Sequence, residues 1–425
     1  MADRTMNKAI ILFLFTIFSI CGMVNTSRAD DAEVLPKGAF SARFTSDIYF
    51  PVEERYDPDG NIEDVAADYN GTLGSEVFPD LGFLEDPPFN LPSANVGDSV
   101  VSFEMEFVDL TLTFAYGVTD RLMVGIQIPY SFQANNVDAR LDTTGATVGE
   151  NPSFGSPGDP FGGVPLVPIN QGGLPLNEED VQDLLGGGLD VDGDGGVDIP
   201  GLGYTRFEDW SESGLLDIDV GAKYQYFKND TWRLALTGGV RIPTGEADEP
   251  DDLVDLEFGT GAWALFLHSN NDFTAVENLL LNATARYYLF LPDRETLRVP
   301  DDVNQPVTAN REKVDRDKGD VIDLEFEARY EFFRGANISV LYNFTHAFKD
   351  EVSGNLGFNY KSLEDETEWE SHIFIAGFSY STVPLYLKKK FPAPFSIGFF
   401  YRTKFAGKNN ALRTEFIKVA LQAFF

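Results

Sequence analysis

The C-terminal segment 417–425 carries apolar side chains at every second position, and this feature constrains the fold most. One face of the segment holds Ile417, Val419, Leu421, Ala423 and Phe425. The other face holds Lys418, Ala420, Gln422 and Phe424. A period of two is typical of a β-strand, because successive side chains point to opposite faces. A helix would bury neither set. The segment is therefore predicted to be a strand with one apolar and one mixed face.

The same alternation recurs upstream, and there the second face is often charged. In one segment Ile322, Leu324 and Phe326 alternate with Asp323, Glu325 and Glu327. An Arg or Lys on the lipid-facing side near the bilayer midplane costs about 2–4 kcal/mol, so the charged face must point into a lumen. The pattern predicts an all-β fold, a transmembrane antiparallel β-barrel of about 12 strands with long acidic extracellular loops. The strands are predicted near 38–50, 99–116, 122–132, 214–227, 231–243, 258–269, 277–291, 320–333, 336–348, 371–381, 395–405 and 412–425.

The second of these strands departs from strict alternation, because Phe107 and Val108 are adjacent apolar residues. A β-bulge would explain the irregularity, and so would an extension of the strand beyond the membrane. The sequence does not choose between them.

Short and long connections alternate along the chain. Turn residues occupy the short connections at 117–121, 228–230 and 334–335, and 270–272 opens another. The longest connection is 133–213. Short periplasmic turns and longer external loops are typical of porin-like barrels. The predicted periplasmic connection 382–394 is an exception, because it is long and carries Lys388, Lys389 and Lys390.

Residues 1–29 have the three parts of a bacterial export signal. Arg4 and Lys8 precede an apolar stretch, and a small-x-small site ends at Ala29, so the mature barrel domain is predicted to span 30–425. The only cysteine, Cys21, lies within the signal, and the bulky Ile20 before it argues against lipidation. The predicted location is the outer membrane of a Gram-negative bacterium.

The chain is strongly acidic, with a formal net charge of −36. Such a charge repels phosphate and excludes nucleic acid as a partner. It is compatible with binding of divalent cations, although most of the acidic residues are expected to solvate long loops.

The longest loop contains the motif Asp190-Val-Asp192-Gly-Asp194-Gly-Gly-Val-Asp198. Carboxylates at its first, third and fifth positions, with glycine at the sixth, can surround a hard cation with oxygen ligands. The motif resembles the first nine positions of an EF-hand calcium loop. It departs from that loop at the twelfth position, which is Gly201 rather than Glu; Glu208 and Asp209 are the nearest replacements. Two alternatives stay open, a Ca2+ site and a flexible acidic loop.

The predicted lumen is the second candidate site. Its pore-lining residues are predicted to be Glu104, Glu106, Asp217, Asp219, Lys223, Arg233, Arg241, Arg286, Asp323, Glu325, Glu327, Arg329, Arg402 and Lys418. They indicate either a polar pore that selects solutes or a network of ion pairs that fills a small barrel.

A lipid hydrolase is a third hypothesis, because some barrels of this size carry a Ser–His pair near the external rim. His346 and His372 fall near that rim, whereas His268 is predicted near the periplasmic end of its strand. No Gly-x-Ser-x-Gly motif surrounds a serine. We therefore expect no enzymatic activity.

Several motifs between residues 114 and 267 resemble a family of outer-membrane proteins linked to the meta-pathway of phenol degradation. The segments that carry the resemblance are 116–121, 124–130, 214–217, 220–224, 241–246 and 259–261. One glycine of the family pattern is replaced by Leu216. The resemblance implies uptake of small aromatic or hydrophobic compounds.

The leading hypothesis is an outer-membrane channel or transporter for small solutes. The alternative is a structural or surface-interaction barrel with a calcium-binding extracellular loop. The expected partners are the lipid bilayer, a small-molecule solute and, through the strand ending in Phe425, the barrel-assembly machinery.

Overall fold

The computed structural model describes residues 30–302 and 305–425. The predicted signal peptide, 1–29, lies outside the described residues. The main sheet of the described chain has fourteen antiparallel strands, and twelve of them form the barrel; Gly71–Gly74 and Trp210–Leu215 extend it at its edges. The barrel strands are β1 (Phe40–Tyr49), β2 (Asn95–Thr119), β3 (Leu122–Asp142), β4 (Ile218–Lys228), β5 (Trp232–Ile242), β6 (Ala264–Phe273), β7 (Leu279–Phe290), β8 (Val321–Phe333), β9 (Ala336–Ala347), β10 (Trp369–Ser381), β11 (Phe395–Lys408) and β12 (Glu415–Phe424). No helix of the described chain is long and apolar enough to cross a membrane.

The sheet closes into a barrel because β1 pairs with β2 on one edge and with β12 on the other. Each other strand pairs with its neighbours in the sequence. At the seam, Ser41 lies opposite Phe424 and Tyr49 lies opposite Phe416. The last residue continues the seam, since the amide of Phe425 donates to the Phe40 carbonyl at 2.8 Å. The predicted closed twelve-stranded antiparallel barrel is confirmed.

The two ends of the barrel differ. We call the end with the connections after β2, β4, β6, β8 and β10 the turn end, and the opposite end the loop end. The loop end carries short strands at Glu54–Tyr56, Ile62–Asp64, Gly71–Gly74, Val148–Glu150, Leu166–Pro168, Leu174–Pro175, Gly188–Leu189, Ile199–Pro200, Trp210–Leu215, Asp293–Arg298, Arg311–Asp317, Glu351–Ser353 and Ala411–Leu412. Its helices are α1 (Glu178–Leu185) and 3-10 turns at Ala67–Tyr69, Pro79–Leu84, Ile169–Gln171 and Tyr360–Leu363. The connection after β10 contains the one-turn helix α2 (Val383–Tyr386).

The sixth strand is shifted from its predicted position of 258–269 to Ala264–Phe273. The predicted turn 270–272 is therefore wrong, and the chain turns at 274–278 instead. Asn270 and Asp272 resemble turn residues in the sequence, but they alternate with Asn271 and are both fully buried on the inner face of the strand. The polar lumen allows turn-forming residue types to occupy the middle of a strand.

The irregularity in β2 is explained by extension rather than by a bulge. Its pairing with β3 continues without a register shift from Asp98 to Gly117, and residues 133–142 extend β3 instead of beginning the long loop. Beyond the barrel, the inner face of β2 continues into Val101, Phe103 and Met105, which pack beneath the loops as buried residues. Where the strand leaves the barrel, Phe107 on the inner face and Val108 on the outer face are therefore both apolar.

The loops at the loop end form a packed layer with its own apolar core. This core includes Leu81, Leu84, Val96, Val148 and Leu184 of α1. Arg298 ties separate loops together, because its guanidinium donates to the carbonyls of Leu202, Gly203 and Thr308 and lies 3.7 Å from the centre of the Tyr204 ring. The loop end is a structured layer rather than a set of independent loops.

The outer face of the barrel is apolar. Leu267, Phe326 and Phe399 are 56%, 52% and 49% exposed, although they lie in the middle of their strands. Exposed apolar and aromatic side chains around a closed sheet are the surface that a lipid bilayer would cover.

Candidate functional site: the lumen and the loop layer

The strand register places most of the predicted pore-lining residues on the inner face. Cross-strand partners share a face, so the pairs Asp219–Arg241, Arg286–Asp323 and Asp47–Lys418 all point inward. The inner face also holds Lys223, Arg233, Glu325, Glu327, Arg329 and Arg402. Outward residues on the same strands are apolar, as the alternation predicts.

The inner wall is held by ion pairs between neighbouring strands. Arg241 binds Asp219 through two nitrogens at 2.8 and 2.9 Å. Arg286 contacts Asp323 at 2.5 Å and Glu325 at 3.2 Å, and its side chain is 15% exposed. Lys418 pairs with Asp47 at 2.8 Å. The guanidinium of Arg402 lies 4.9 Å from the centre of the Phe416 ring, in the distance range of a cation–π contact. These contacts fix the charged side chains along the wall.

Three predicted pore-lining residues are wrong. Glu104 and Glu106 lie on the same face of β2 as Leu112, which is outward, because the register is unbroken between them. They therefore face away from the lumen on the part of the strand that extends beyond the barrel. Asp217 precedes β4 and binds the connection 243–263, where it accepts from the amide and the hydroxyl of Thr260 at 3.0 and 2.8 Å.

Residues 30–33 directly follow the predicted cleavage site and are called the N-terminal tetrapeptide; they lie inside the barrel and contact its wall through their side chains. Asp30 pairs with Lys223 and lies 3.1 Å from His268 Nδ1. Asp31 lies 3.5 Å from Arg329, and Glu33 accepts from Arg233 at 3.0 Å. All four partners are inward residues on β4, β6, β8 and β5. All three acidic residues of the tetrapeptide thus meet cationic or imidazole groups of the wall.

The backbone of the tetrapeptide is also bound by the wall. The Asp30 carbonyl accepts from Asn270 at 2.7 Å and from Thr284 at 3.0 Å. Lys223 donates to the Asp31 carbonyl at 2.7 Å, and Gln225 donates to the Ala32 carbonyl at 2.6 Å. The Ala32 amide donates to both carboxylate oxygens of Asp272 at 3.2 Å. Ala32 is completely buried.

A cavity of about 380 Å³ lies next to the tetrapeptide at the turn end. Asp31, Glu33, Arg233 and Arg329 line it together with residues of the turn 274–278. Two residues of the tetrapeptide therefore form part of the wall of this cavity.

Sequence reasoning missed the tetrapeptide and its polar partners His268, Asn270, Asp272 and Thr284. The available signal was the acidic run 30–33 directly after the predicted cleavage site, in a chain whose predicted lumen carried several cations. Alternation alone could not connect the two, because they are separated by about 190 residues or more in the sequence.

The histidines do not pair with serine among the described residues. His372 Nδ1 lies 2.7 Å from the Tyr342 hydroxyl, and His346 lies 3.6 Å from Glu368. Both face outward near the loop end, because they lie opposite the outward residues Phe344 and Ile322. His268 is inward, in the middle of β6 rather than at its end.

The acidic motif of the long loop brings three of its four carboxylates together. Oxygens of Asp190, Asp192 and Asp194 all lie within 4.8 Å of one another. Gly195 has a φ of +92°, which suits glycine at the sixth position. Asp198 instead accepts from the Val191 amide at 2.8 Å. Glu208 and Asp209 contact Arg206 and the Val137 amide.

The family model described as "Putative MetA-pathway of phenol degradation" matches residues 181–384. The resemblance is thereby confirmed. The match covers the strands from β4 to β10 and the end of the long loop. No curated protein matches the chain.

Solved structures with a similar arrangement include outer-membrane proteins. An outer membrane channel from Pseudomonas putida F1 has 13% identity and a TM-score of 0.49, and the alignment covers 94% of this chain and 100% of that chain. A toluene transporter from Ralstonia pickettii has 10% identity and a TM-score of 0.38, with 92% and 90% covered. A FadL homologue from Pseudomonas aeruginosa has 10% identity and a TM-score of 0.34, with 93% and 91% covered. At these scores the similarity supports no conclusion about function.

Proposed function

We propose that the protein is an outer-membrane channel or transporter for small solutes. The observation that carries the proposal is the division of the barrel into an apolar outer face and a charged, hydrogen-bonded inner face. An apolar exterior suits lipid, and a polar interior suits water and solutes. Among the described residues, the ion pairs of the wall lie within one strand or between neighbouring strands, so they do not fill the lumen. Export through a cleaved signal peptide ending at Ala29 is part of this proposal.

The confirmed family resemblance supports aromatic or hydrophobic compounds as the solute class. Tyr288 and Phe266 lie on the inner face with ring centres 5.9 Å apart, and the guanidinium of Arg241 lies 4.8 Å from the centre of the Tyr288 ring. Tyr288 is partly exposed and offers an aromatic surface within the otherwise charged wall, and the buried Phe266 ring packs beside it.

Liposome swelling tests this function with two amino acids of comparable size. Phenylalanine and glutamine are both impermeant without protein, but only phenylalanine is aromatic. We expect proteoliposomes to swell with both solutes and faster with phenylalanine. Swelling equal to that of empty liposomes with both would contradict a channel. Equal rates with both would leave the channel intact and remove the aromatic preference.

We also propose that the long loop binds Ca2+, as a second function supported by the convergence of Asp190, Asp192 and Asp194. Three oxygen ligands from side chains are fewer than the six to eight that Ca2+ takes, so backbone carbonyls and water must complete the shell. Isothermal titration with CaCl2 should give heat for the wild type and little for Asp192→Ala. The control is Asp80→Ala, an exposed acid in another loop. Equal heats for all three proteins would remove the loop site.

A lipid hydrolase is the least favoured function, because the contacts of His346 and His372 give neither residue a serine to activate. We expect no phospholipase activity from the purified protein. Activity that is lost in His372→Ala would restore this hypothesis.

A further inference from the structure

We propose that the N-terminal tetrapeptide is a tethered plug, which closes the lumen at rest and must leave it for solutes to pass. This inference rests on the proposed channel function and names how that channel is gated. Its first support is the reach of the tetrapeptide, which contacts five consecutive strands. Its partners are Lys223 and Gln225 on β4, Arg233 on β5, His268, Asn270 and Asp272 on β6, Thr284 on β7 and Arg329 on β8.

The path of the chain gives the second support. The amide of Gly38 donates to the Gly117 carbonyl at 2.7 Å, and the amide of Lys37 donates to Asp120 at 3.1 Å. The chain is therefore fixed beside β1 and β2 at the turn end. In a ring of twelve strands β1 lies opposite β7, which is where Thr284 binds the Asp30 carbonyl. Residues 30–37 thus cross the mouth of the barrel from one side to the other.

The tether must also fit closely at its fixed end. A Cβ at position 117 would lie 2.0 Å from the Pro36 carbonyl oxygen, so only glycine allows the N-terminal segment to pass over the β2–β3 turn. With the export signal cleaved at Ala29, as proposed above, the segment has a fixed end beside Gly117 and a polar free end in the lumen, which are the parts of a tethered plug.

The chemistry of the contacts makes release feasible. Arg233 and Arg329 keep wall partners without the tetrapeptide, because Asp272 lies 2.8 Å from Arg233 and Glu327 lies 2.6 Å from Arg329. Lys223 differs, since Asp30 is its ion-pair partner within the described part of the chain. When the tetrapeptide leaves, the arginines therefore remain paired and Lys223 becomes available to water or to an anionic solute. A gate requires closed and open conformations that differ little in free energy, and the ion pairs that both arginines keep make this difference smaller.

Single-channel recording on the mature protein tests the plug. In Asp30→Asn/Asp31→Asn/Glu33→Gln, the carboxylates are removed but the backbone is kept. We expect its open probability to exceed that of the wild type by about tenfold, because each lost ion pair weakens the closed state. The control Asp59→Asn/Glu76→Gln/Asp80→Asn changes the charge equally at exposed loop positions and should behave as the wild type does. Equal open probabilities in the plug and control variants would overturn the plug.

A crosslink gives an independent test, because the predicted mature chain contains no cysteine. In Ala32→Cys/Gln225→Cys, a short bismaleimide should hold the tetrapeptide in the lumen and suppress the openings that the untreated variant shows. Openings that persist in the crosslinked protein would overturn the plug and leave the channel standing. If every variant and the wild type stayed silent, both the channel and its plug would be wrong.

We infer independently that the connection after β10 binds anionic phospholipid headgroups at the turn end. Lys388, Lys389 and Lys390 are all exposed, and none forms an ion pair among the described residues. They directly follow Tyr386 and Leu387, which are 42% and 75% exposed. Three adjacent exposed cations in a chain with a net charge of −36 form a local basic segment that can attract anions.

The surroundings of the lysines indicate a membrane surface. Phe332 and Phe333 are exposed at the turn end of β8, and the Phe332 ring centre lies 6.1 Å from that of Phe378 on β10, the strand that precedes the lysines. Aromatic rings at the barrel end mark the bilayer interface. Lysines beside them reach the headgroup level while their stems cover apolar surface. Basic segments next to a bilayer bind anionic lipids.

Electron spin resonance with spin-labelled lipids tests this inference on the reconstituted protein. The wild type should associate with phosphatidylglycerol more strongly than with phosphatidylcholine. Lys388→Gln/Lys389→Gln/Lys390→Gln should lose most of this preference. The control Lys313→Gln/Lys349→Gln/Lys361→Gln removes three exposed lysines at the loop end and should retain it. A preference that is absent in the wild type, or unchanged in the Lys388–Lys390 variant, would overturn the inference. Either result leaves the channel function untouched.

Discussion

At the scale of single residues, the lumen shows how a charged side chain is kept inside a membrane-sized barrel. Arg286 lies between Asp323 and Glu325, and all three side chains are at most 16% exposed. Removing one partner of a buried pair costs far more than the pair itself contributes, because the remaining charges stay desolvated.

Arg286→Met should therefore destabilise the barrel by about 3–5 kcal/mol. The matched control is Arg294→Met, which breaks an ion pair with Asp315 whose side chains are 68% and 51% exposed and should cost about 0–1 kcal/mol. Urea-dependent loss of the compact form in cold gel electrophoresis measures both. Similar midpoints for the two variants would mean that the luminal pair is as well solvated as a surface pair.

Gly377 tests the packing of the inner wall. The ring of Phe400 on β11 packs against Gly377 on β10. A Cβ at position 377 would therefore lie 2.0 Å from Phe400 Cδ1. Gly377→Ala should cost about 1–3 kcal/mol, as overpacking of a filled interior does. Gly187→Ala is the control, because its Cβ would meet nothing within 4 Å. Phe400→Leu should restore part of the stability lost in Gly377→Ala, and no restoration would contradict the contact.

Asp248 makes the loop layer sensitive to pH. Partial desolvation and then the neighbouring Asp255 and Glu257 raise the pKa of Asp248 to about 7, although the residue is exposed. A raised pKa means that the folded layer binds the proton more tightly than the unfolded chain does. The contribution of Asp248 to the stability of the layer is therefore fully present below about pH 4 and is lost as the pH rises through 7. Because part of this residue reaches solvent, we expect a small effect.

Hydrogen exchange in the connection 243–263, corrected for intrinsic rates, should be faster at pH 8 than at pH 5. Asp248→Asn should remove most of the difference, and the distant Asp80→Asn should leave it unchanged. Slower exchange at pH 8 in the wild type would show that the sign of the linkage is wrong.

At the scale of elements, the C-terminal strand separates folded stability from assembly. The Phe425 side chain is 73% exposed, whereas its backbone closes the seam against Phe40 in both directions. Phe425→Ala keeps these hydrogen bonds, so the folded barrel should unfold at nearly the wild-type urea concentration.

Assembly should respond differently if the strand that ends in Phe425 is recognised by the barrel-assembly machinery. We expect Phe425→Ala to lower the amount of folded protein in the outer membrane severalfold while purified, refolded protein keeps its stability. Leu412→Ala is a control outside the terminal strand. Equal amounts of folded wild type and Phe425→Ala in cells would remove the predicted role of the terminal residue.

The strands were largely predictable because lipid imposes a period of two on the outer face of each one. All twelve occur in the predicted order, and α1 begins where the capping residue Asn177 precedes three acidic residues. The errors fall where lipid does not act. In β6 the inner face accepts the turn-type residues Asn270 and Asp272, so the strand continues through the predicted turn. Beyond the barrel, β2 packs against the core of the loop layer instead of lipid, and Glu104 and Glu106 face away from the lumen.

At the scale of the whole molecule, the contents of the lumen could not be predicted from alternation. The tetrapeptide has no period and lies outside the strands, so its position depends on contacts such as those of Asp30 with Lys223 and His268 across long sequence separations. The composition of residues 30–33 is acidic and the predicted lumen contains several cations, but neither observation locates the segment. The same limit applies to the acidic loop, where three carboxylates converge and Asp198 does not.

The central claim is that this barrel is a channel, and single-channel recording of the purified wild type in planar bilayers tests it most directly. The account predicts discrete current steps whose size grows with salt concentration, separated by long closed periods in which the N-terminal tetrapeptide fills the lumen. A protein that inserts into the bilayer, folded by its gel mobility, and yields no current steps at any salt concentration or voltage would contradict it.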